Sequence, residues 1–319
     1  MTLPILCLKF LRSFSALSYS RQLHHIKAMT KSDISSRLIH DLKPMAKPDL
    51  AAQYLQKLFE FEEINQDHFR ANYLGPPALM TSSVYGGLLF AQALAVAEQT
   101  VSDIFLPHAT HSFFILNVTA DKPVDYHVQR IRDGRSFCTR FVTAHQEDKI
   151  VFSIQLSFHI KEETSIEHQI KMPEVPAPES LKNTWDLANE FIDLGKQGKL
   201  TLAPFQKVDM KGKLREEPTC LFEIRPTDPE KTFALKEWKP ESIYYWVKSR
   251  IPLSDSRTQH RHMAAYITDA SLVGAANRPH MSHGYIPSML FSLDHSVWFH
   301  DDDFRADEWL LYENYSPMA

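Results

Sequence analysis

Gly86-Gly87-Leu88-Leu89-Phe90-Ala91-Gln92-Ala93-Leu94-Ala95-Val96-Ala97 is the stretch on which the fold of this chain turns. Leucine and alanine are strong helix formers, and a helix that is apolar almost all round must be wrapped by the rest of the chain. Wrapping material follows at once. His111 to Leu116, Val124 to Ile131, Arg135 to Thr143 and Ile150 to Ile160 all read as strands. In the last of these Phe152, Ile154, Leu156 and Phe158 alternate with Ser153, Gln155, Ser157 and His159, which predicts one buried and one polar face. Asp133-Gly134, between the second and third strands, is a hairpin signal. One buried helix followed by several antiparallel strands is an α+β pattern, with a curved sheet around a central helix. A short amphipathic helix from Ala51 to Phe61, carrying Leu55, Leu58 and Phe59 on one face, leads into this unit.

Outward from this unit, Lys161 to Thr219 turns to Glu, Lys and Pro and reads as a connector with one short helix near Trp185 to Leu194. A second unit follows. Leu221 to Arg225 and Ser242 to Val247 are expected strands, His262 to Ala276 a second nearly all-apolar helix, and Met289 to His300 and Glu308 to Tyr315 further strands. The order repeats the first unit. His111-Ser112-Phe113-Phe114 in one copy answers to His295-Ser296-Val297-Trp298-Phe299 in the other, at a matching stage after the helix. The first unit runs on from His111 to Ile160, whereas the second has only His295 to Ala319, about two strands less. The expected organisation is therefore 1–50 as presequence or disordered extension, 51–160 as first unit, 161–219 as linker and 220–319 as a second, incomplete unit. Such a unit leaves a strand edge open, which self-association or another chain would cover.

A chain of 319 residues with 44% apolar residues can fill substantial cores, and a net charge of -4 gives no overall electrostatic case for nucleic acid. Cys7, Cys138 and Cys220 lie far apart, fit no zinc spacing and imply no disulfide framework. Lys9, Arg12, Arg21, Lys27 and Lys31 precede the first acidic residue, Asp33, which is the composition of a mitochondrial-type presequence or of a disordered extension. Met29 and Met45 offer internal starts. Lys9 and Arg12 interrupt the apolar run from Leu3, so neither a secretory signal nor a membrane span is expected there, and Pro317-Met318-Ala319 is no Ser-Lys-Leu address.

No G-x-S-x-G elbow, P-loop, G-x-G-x-x-G or H-E-x-x-H occurs, which disfavours several enzyme classes. His24-His25 and the pair His260 and His262 lack partners at ligand spacing, so no metal is expected. Asp269 stands out because an unpaired carboxylate between Ile267 and Leu272 would be costly. Within reach of Ser292 on the following strand it could deprotonate a water attacking a thioester carbonyl; alternatively it is a helix-edge carboxylate bonded to a loop. Gly86-Gly87 at a helix start presents backbone N–H groups able to polarise a carbonyl. Arg132 and Arg135, with Arg130, flank the Asp133-Gly134 turn and either meet phosphates or form an ordinary solvated hairpin tip. Asp294-His295 and Trp298 offer acid–base and stacking groups, or are structural residues of a core strand.

Ser83-Val84-Tyr85-Gly86-Gly87, Ala91-Gln92-Ala93-Leu94, His111-Ser112-Phe113-Phe114 and Arg132-Asp133-Gly134-Arg135-Ser136-Phe137 resemble the first half of acyl-CoA thioesterase II proteins. Ala265-Tyr266-Ile267-Thr268-Asp269, Ser292 through His300, and Trp309-Leu310-Leu311-Tyr312-Glu313 resemble the second half more closely. The segment Leu116-Asn117-Val118-Thr119 departs from the family by lacking its Arg-Pro-Gly-Asp turn, and Leu88 replaces a common polar residue. The resemblance implies two tandem hotdog folds hydrolysing fatty acyl-CoA to fatty acid and CoA without cofactor. It implies a water positioned by Asp269, Ser292 and a Gln of the final strand for which this chain offers no counterpart. Gly86, Gly87, Arg132, Arg135 and His295 are the substrate-binding candidates. A peroxisomal matrix location is implied by the resemblance, and a mitochondrial one by the N-terminal composition. The rival expectations are a catalytically impaired shortened product and an acyl-CoA-binding or regulatory subunit paired with another chain.

Overall fold

The computed structural model describes residues 48–75, 83–163, 165–216, 220–285, 287 and 290–317. The basic N-terminal segment, with Met29 and Met45, lies outside the described residues. Helix α1 (Pro48–Leu58) leads to the short strands β1 (Glu62–Asn65) and β2 (His68–Ala71), and then to α2 (Gly86–Glu98). β3 (Phe105–Phe114), β4 (Val124–Asp133), β5 (Phe137–Gln146) and β6 (Lys149–Ile160) follow. Every residue of α2 from Gly87 to Ala97 is buried, as its composition predicts. The polar side chain within that buried run, Gln92, is satisfied: the amide donates to Leu58 O at 2.6 Å and accepts from Tyr126 Oη at 2.7 Å.

The 161–219 segment holds more than a connector. After α3 (Thr184–Lys196), capped by Asn183, comes α4 (Pro204–Glu216), which was not expected. Leu187, Ala188, Leu202, Met210 and Phe233 form a small core there, separate from the main one. Beyond it run β7 (Phe222–Pro226), α5 (Pro229–Thr232), β8 (Ile243–Ser249), α6 (Arg257–Thr268), α7 (Leu272–Ser282), β9 (Asp294–Trp298) and β10 (Leu310–Asn314).

Two positions differ from expectation in ways that matter for the site. The apolar run from His262 to Ala276 is not one helix, because α6 stops at Thr268 with Asp269 as its C-cap and α7 starts afresh after Ser271. Ser292 is not on a strand, since β9 begins two residues later. The break has a local cause in the Thr268 hydroxyl, which donates to Ala265 O at 2.7 Å, and a long-range one in the bond between Asp269 and Ser292.

Strand order in the larger sheet is β1-β2-β4-β5-β6-β3-β9, and every pairing in it is antiparallel. β10-β8-β7 form a second sheet. β9 therefore extends the sheet of the first unit, with Ser112 opposite His295 and Thr110 opposite Val297. The two units share one ladder. Side chains reinforce it, because Ser112 Oγ donates to His295 O at 2.7 Å and Thr110 Oγ1 to Val297 O at 3.2 Å.

Helices α2 and α6 pack against each other in opposite directions. At the C-terminal end of α2, Glu98 accepts from Arg261 Nε at 2.8 Å and pairs with Arg261 Nη2 at 2.6 Å and His262 Nε2 at 2.5 Å. Burial works against ionisation of this carboxyl, yet the bond and charge of His262, and then of Arg261, hold it below the usual glutamate range. A group with a depressed folded value stabilises above its unfolded value and loses that contribution as pH falls through the folded one. Melting temperature should therefore fall more steeply in the native chain than in Glu98→Gln as pH drops below 4.5, the ordinary value. Thermal melts of both proteins at pH 7 and below 4.5 check this; parallel slopes would remove Glu98 from the acid response.

Candidate active site

Opposite the Glu98 end, the first turn of α2 meets the cap of α6. Asp269, 8% exposed, accepts a hydrogen bond from Ser292 Oγ at 2.6 Å. Its other oxygen, Oδ2, lies 2.8 Å from where a β-carbon on Gly86 would stand, so only glycine lets α2 approach so closely. A carboxylate at a helix C-terminus opposes the dipole of its own helix, and the N-terminus of α2 offsets this from across the contact. The cap residue Tyr85 places no side-chain acceptor on the first-turn amides of α2. Asp269 is thus brought to Ser292 and to Gly86, while Gly87 packs against Tyr266 and Tyr85.

Tyr85, Tyr266, Phe114 and Thr268, none of them a site candidate from sequence, complete the surroundings together with His295, which is one. The Tyr85 hydroxyl donates to Tyr266 O at 3.0 Å, and burial, with the charge of Asp269 second, pushes its phenol well above the usual range. Phe114 closes over Gly86 from β3. Its N–H donates to Leu293 O at 2.9 Å and so fixes the segment that carries Ser292. Thr268 Oγ1 lies 2.8 Å from His295 Nε2, and the His295 ring packs edge-on to Phe90 with centroids 4.8 Å apart. No site signal marks Tyr85, Tyr266, Phe114 or Thr268, because each becomes relevant only through contacts distant in sequence, whereas His295 is marked by the repeated His-Ser pair.

His295 is 1% exposed and packs in the core between Phe90 and Thr268. Arg132 and Arg135 are exposed around the β4–β5 turn, and Arg140 ties that hairpin to Thr100, just beyond the C-terminal end of α2, at 2.9 Å. Thirteen helical residues span about 19 Å, so these arginines stand at the end of α2 far from Asp269. The structure does not bring them to the Asp269 cluster. The physical reason is the hairpin itself: its tip is anchored through Arg140 to Thr100 and to Asp133, the latter at 2.5 Å.

Against known proteins, the model of the acyl-CoA thioesterase N-terminal domain matches residues 75–159, and that of the acyl-CoA thioesterase C-terminal domain matches residues 207–319. Mouse acyl-coenzyme A thioesterase 8 is 34% identical over 268 residues, covering 82% of this chain and 78% of that protein. This chain belongs to the acyl-CoA thioesterase family. Its α+β architecture is the family's hotdog fold: an acyl-CoA thioesterase II from Mycobacterium marinum superposes with a TM-score of 0.62 at 28% identity, over 83% of this chain and 86% of that one. The peroxisomal acyl-coenzyme A thioester hydrolase 1 of Saccharomyces cerevisiae is 27% identical over 303 residues, covering 83% of this chain and 85% of that protein. Among the described residues of this thioesterase family member, no helix is long and apolar enough to cross a membrane.

Proposed function

We propose that this chain hydrolyses fatty acyl-CoA thioesters to free fatty acid and CoA, with the attacking water activated by Asp269. The observation that carries this reading is the Asp269–Ser292 hydrogen bond set against the glycine-opened N-terminus of α2. Ser292 donates to Oδ1, which leaves Oδ2 to take a proton from water. The water oxygen attacks the carbonyl carbon, and charge builds on the carbonyl oxygen. The first-turn backbone of α2 at the partly exposed Gly86 is suited to stabilise that charge, while Gly87 is buried against α6. Cleavage of the carbon–sulfur bond then expels the CoA thiolate, which takes up the proton that Asp269 holds. The family's Gln is assigned to no residue of this chain.

Exposed Leu290, Phe291 and Leu293 flank Ser292, and exposed Ile115 and Leu116 follow Phe114 at the end of β3. They form an apolar rim beside the carboxylate, which suits an acyl chain. The test is release of free CoA from medium- and long-chain acyl-CoA by the purified chain. Turnover supports the reading, and none from a folded, monodisperse sample favours the acyl-CoA-binding or regulatory subunit instead. For location we infer an organelle, the peroxisome by likeness to the yeast relative or the mitochondrion by the N-terminal composition; diffuse cytosolic signal from a tagged full chain would count against both.

A further inference from the structure

We propose that His295 is a positioning residue for Asp269, acting through Thr268 to set where α6 ends. This inference rests on the hydrolase reading above. The Thr268 hydroxyl has one proton to give, and Ala265 O, which can only accept, lies 2.7 Å from it. The same oxygen lies 2.8 Å from His295 Nε2, so the imidazole must donate and Nε2 must carry hydrogen. Thr268 and His295 are both buried, at 0% and 1% exposure. The bond is therefore shielded from water and directional.

The imidazole is itself fixed from three sides. β9 holds its backbone against β3, where Ser112 Oγ donates to His295 O. Phe90 of α2 packs edge-on against the ring, and Thr268 of α6 receives the Nε2 proton. Thr268 is the last residue of α6 and Asp269 is its cap, so a shift of this hydroxyl is passed directly to the carboxylate. Ser292, on the segment leading into β9, then meets Asp269 from the same strand direction. One strand thus delivers both the hydroxyl that binds Asp269 and the ring that holds the residue before it.

Among the described residues, the charged groups acting on the ring are Asp269 and Asp294, and Phe90 and Thr268 are uncharged side chains in contact with it. Burial holds the imidazole below the usual histidine range, against the pull of those two carboxylates. The ring is therefore neutral at pH 7. Protonation at lower pH would place a cation near Asp269, changing the charge beside the group that meets water.

The experiment compares the full chain with His295→Gln, His295→Leu and Thr268→Val. Loss of the Nε2 donor in His295→Leu, or of the hydroxyl in Thr268→Val, should lower kcat for acyl-CoA hydrolysis by about 10²-fold with little change in KM, the cost of a misplaced catalytic group. His295→Gln keeps an amide N–H for Thr268 and should recover most of kcat. It should also remove the part of the acid decline in kcat that His295 titration causes. Equal losses in the Gln and Leu variants with an unchanged pH profile, or native kcat in all three, overturn the proposal.

A second measurement does not depend on turnover. Nitrogen NMR of His295 should show the Nε2–H tautomer, and its titration midpoint should fall in Asp269→Asn, where the stabilising charge is removed. An Nδ1–H tautomer or an unmoved midpoint overturns the inference. If the native chain releases no CoA, the hydrolase reading fails by itself, and this measurement still decides whether His295 and Asp269 are coupled.

Discussion

Asp269→Asn is expected to lower kcat for acyl-CoA hydrolysis by about 10² to 10⁴-fold while KM stays close to native. The substitution preserves shape, and the amide oxygen can still accept from Ser292 Oγ across the 2.6 Å contact. The base is lost and the packing is kept. Free CoA release and circular dichroism on the same preparations separate the two effects. Ser292→Ala should cost less, because it removes the orienting hydroxyl and leaves the carboxylate in place. Native turnover in Asp269→Asn would remove the general base from the mechanism and leave the site without a group to activate water.

Gly87→Ala should destabilise the fold by about 3 kcal/mol or more, the upper part of the range for overpacking a closed contact. A β-carbon there would stand 2.2 Å from Tyr266 O and 2.6 Å from the Tyr85 ring. The carbonyl belongs to the backbone of α6, so the two central helices would have to separate. At Gly86 the obstacles are the ends of side chains, Asp269 Oδ2 and the Phe114 ring, both 2.8 Å away. Gly86→Ala should thus spare more stability and lose activity by displacing the carboxylate. Thermal melts and CoA release on both variants check the contrast. A Gly87→Ala protein melting with the native chain would show that α2 and α6 are not in such close contact.

The parts of this structure legible in the sequence are those with local causes. α2 follows from an unbroken run of helix-forming apolar residues, β6 from strict alternation, and the β4–β5 turn from Asp133-Gly134. Asp269 was visible because a carboxylate among Ile267, Leu272 and alanines demands a partner, and Ser292 is that partner. The break after Thr268 was hidden, since alanine, leucine and valine on either side favour a continuous helix, and the bond that opposes it from afar joins Asp269 to Ser292, distant in sequence. Sharing of β9 with the first unit was hidden for a similar reason: pairing of Ser112 with His295 is a contact between distant parts of the chain that leaves no mark on either segment alone. α4 escaped notice because its polar sequence carries little helical periodicity.

The antiparallel helix pair gives the duplicated chain a division of labour. Glu98 closes α2 and Asp269 caps α6, so each helix ends in a carboxylate facing the other. At the Glu98 end that carboxylate is saturated by Arg261 and His262 and acts as a strut. A single-copy fold would have to ask one carboxylate to bear load and to stay reactive, and these demands conflict. On the proposed reading, the Glu98 end can be selected for rigidity and the Asp269 end for chemistry, with α2 and α6 transmitting the support from end to end.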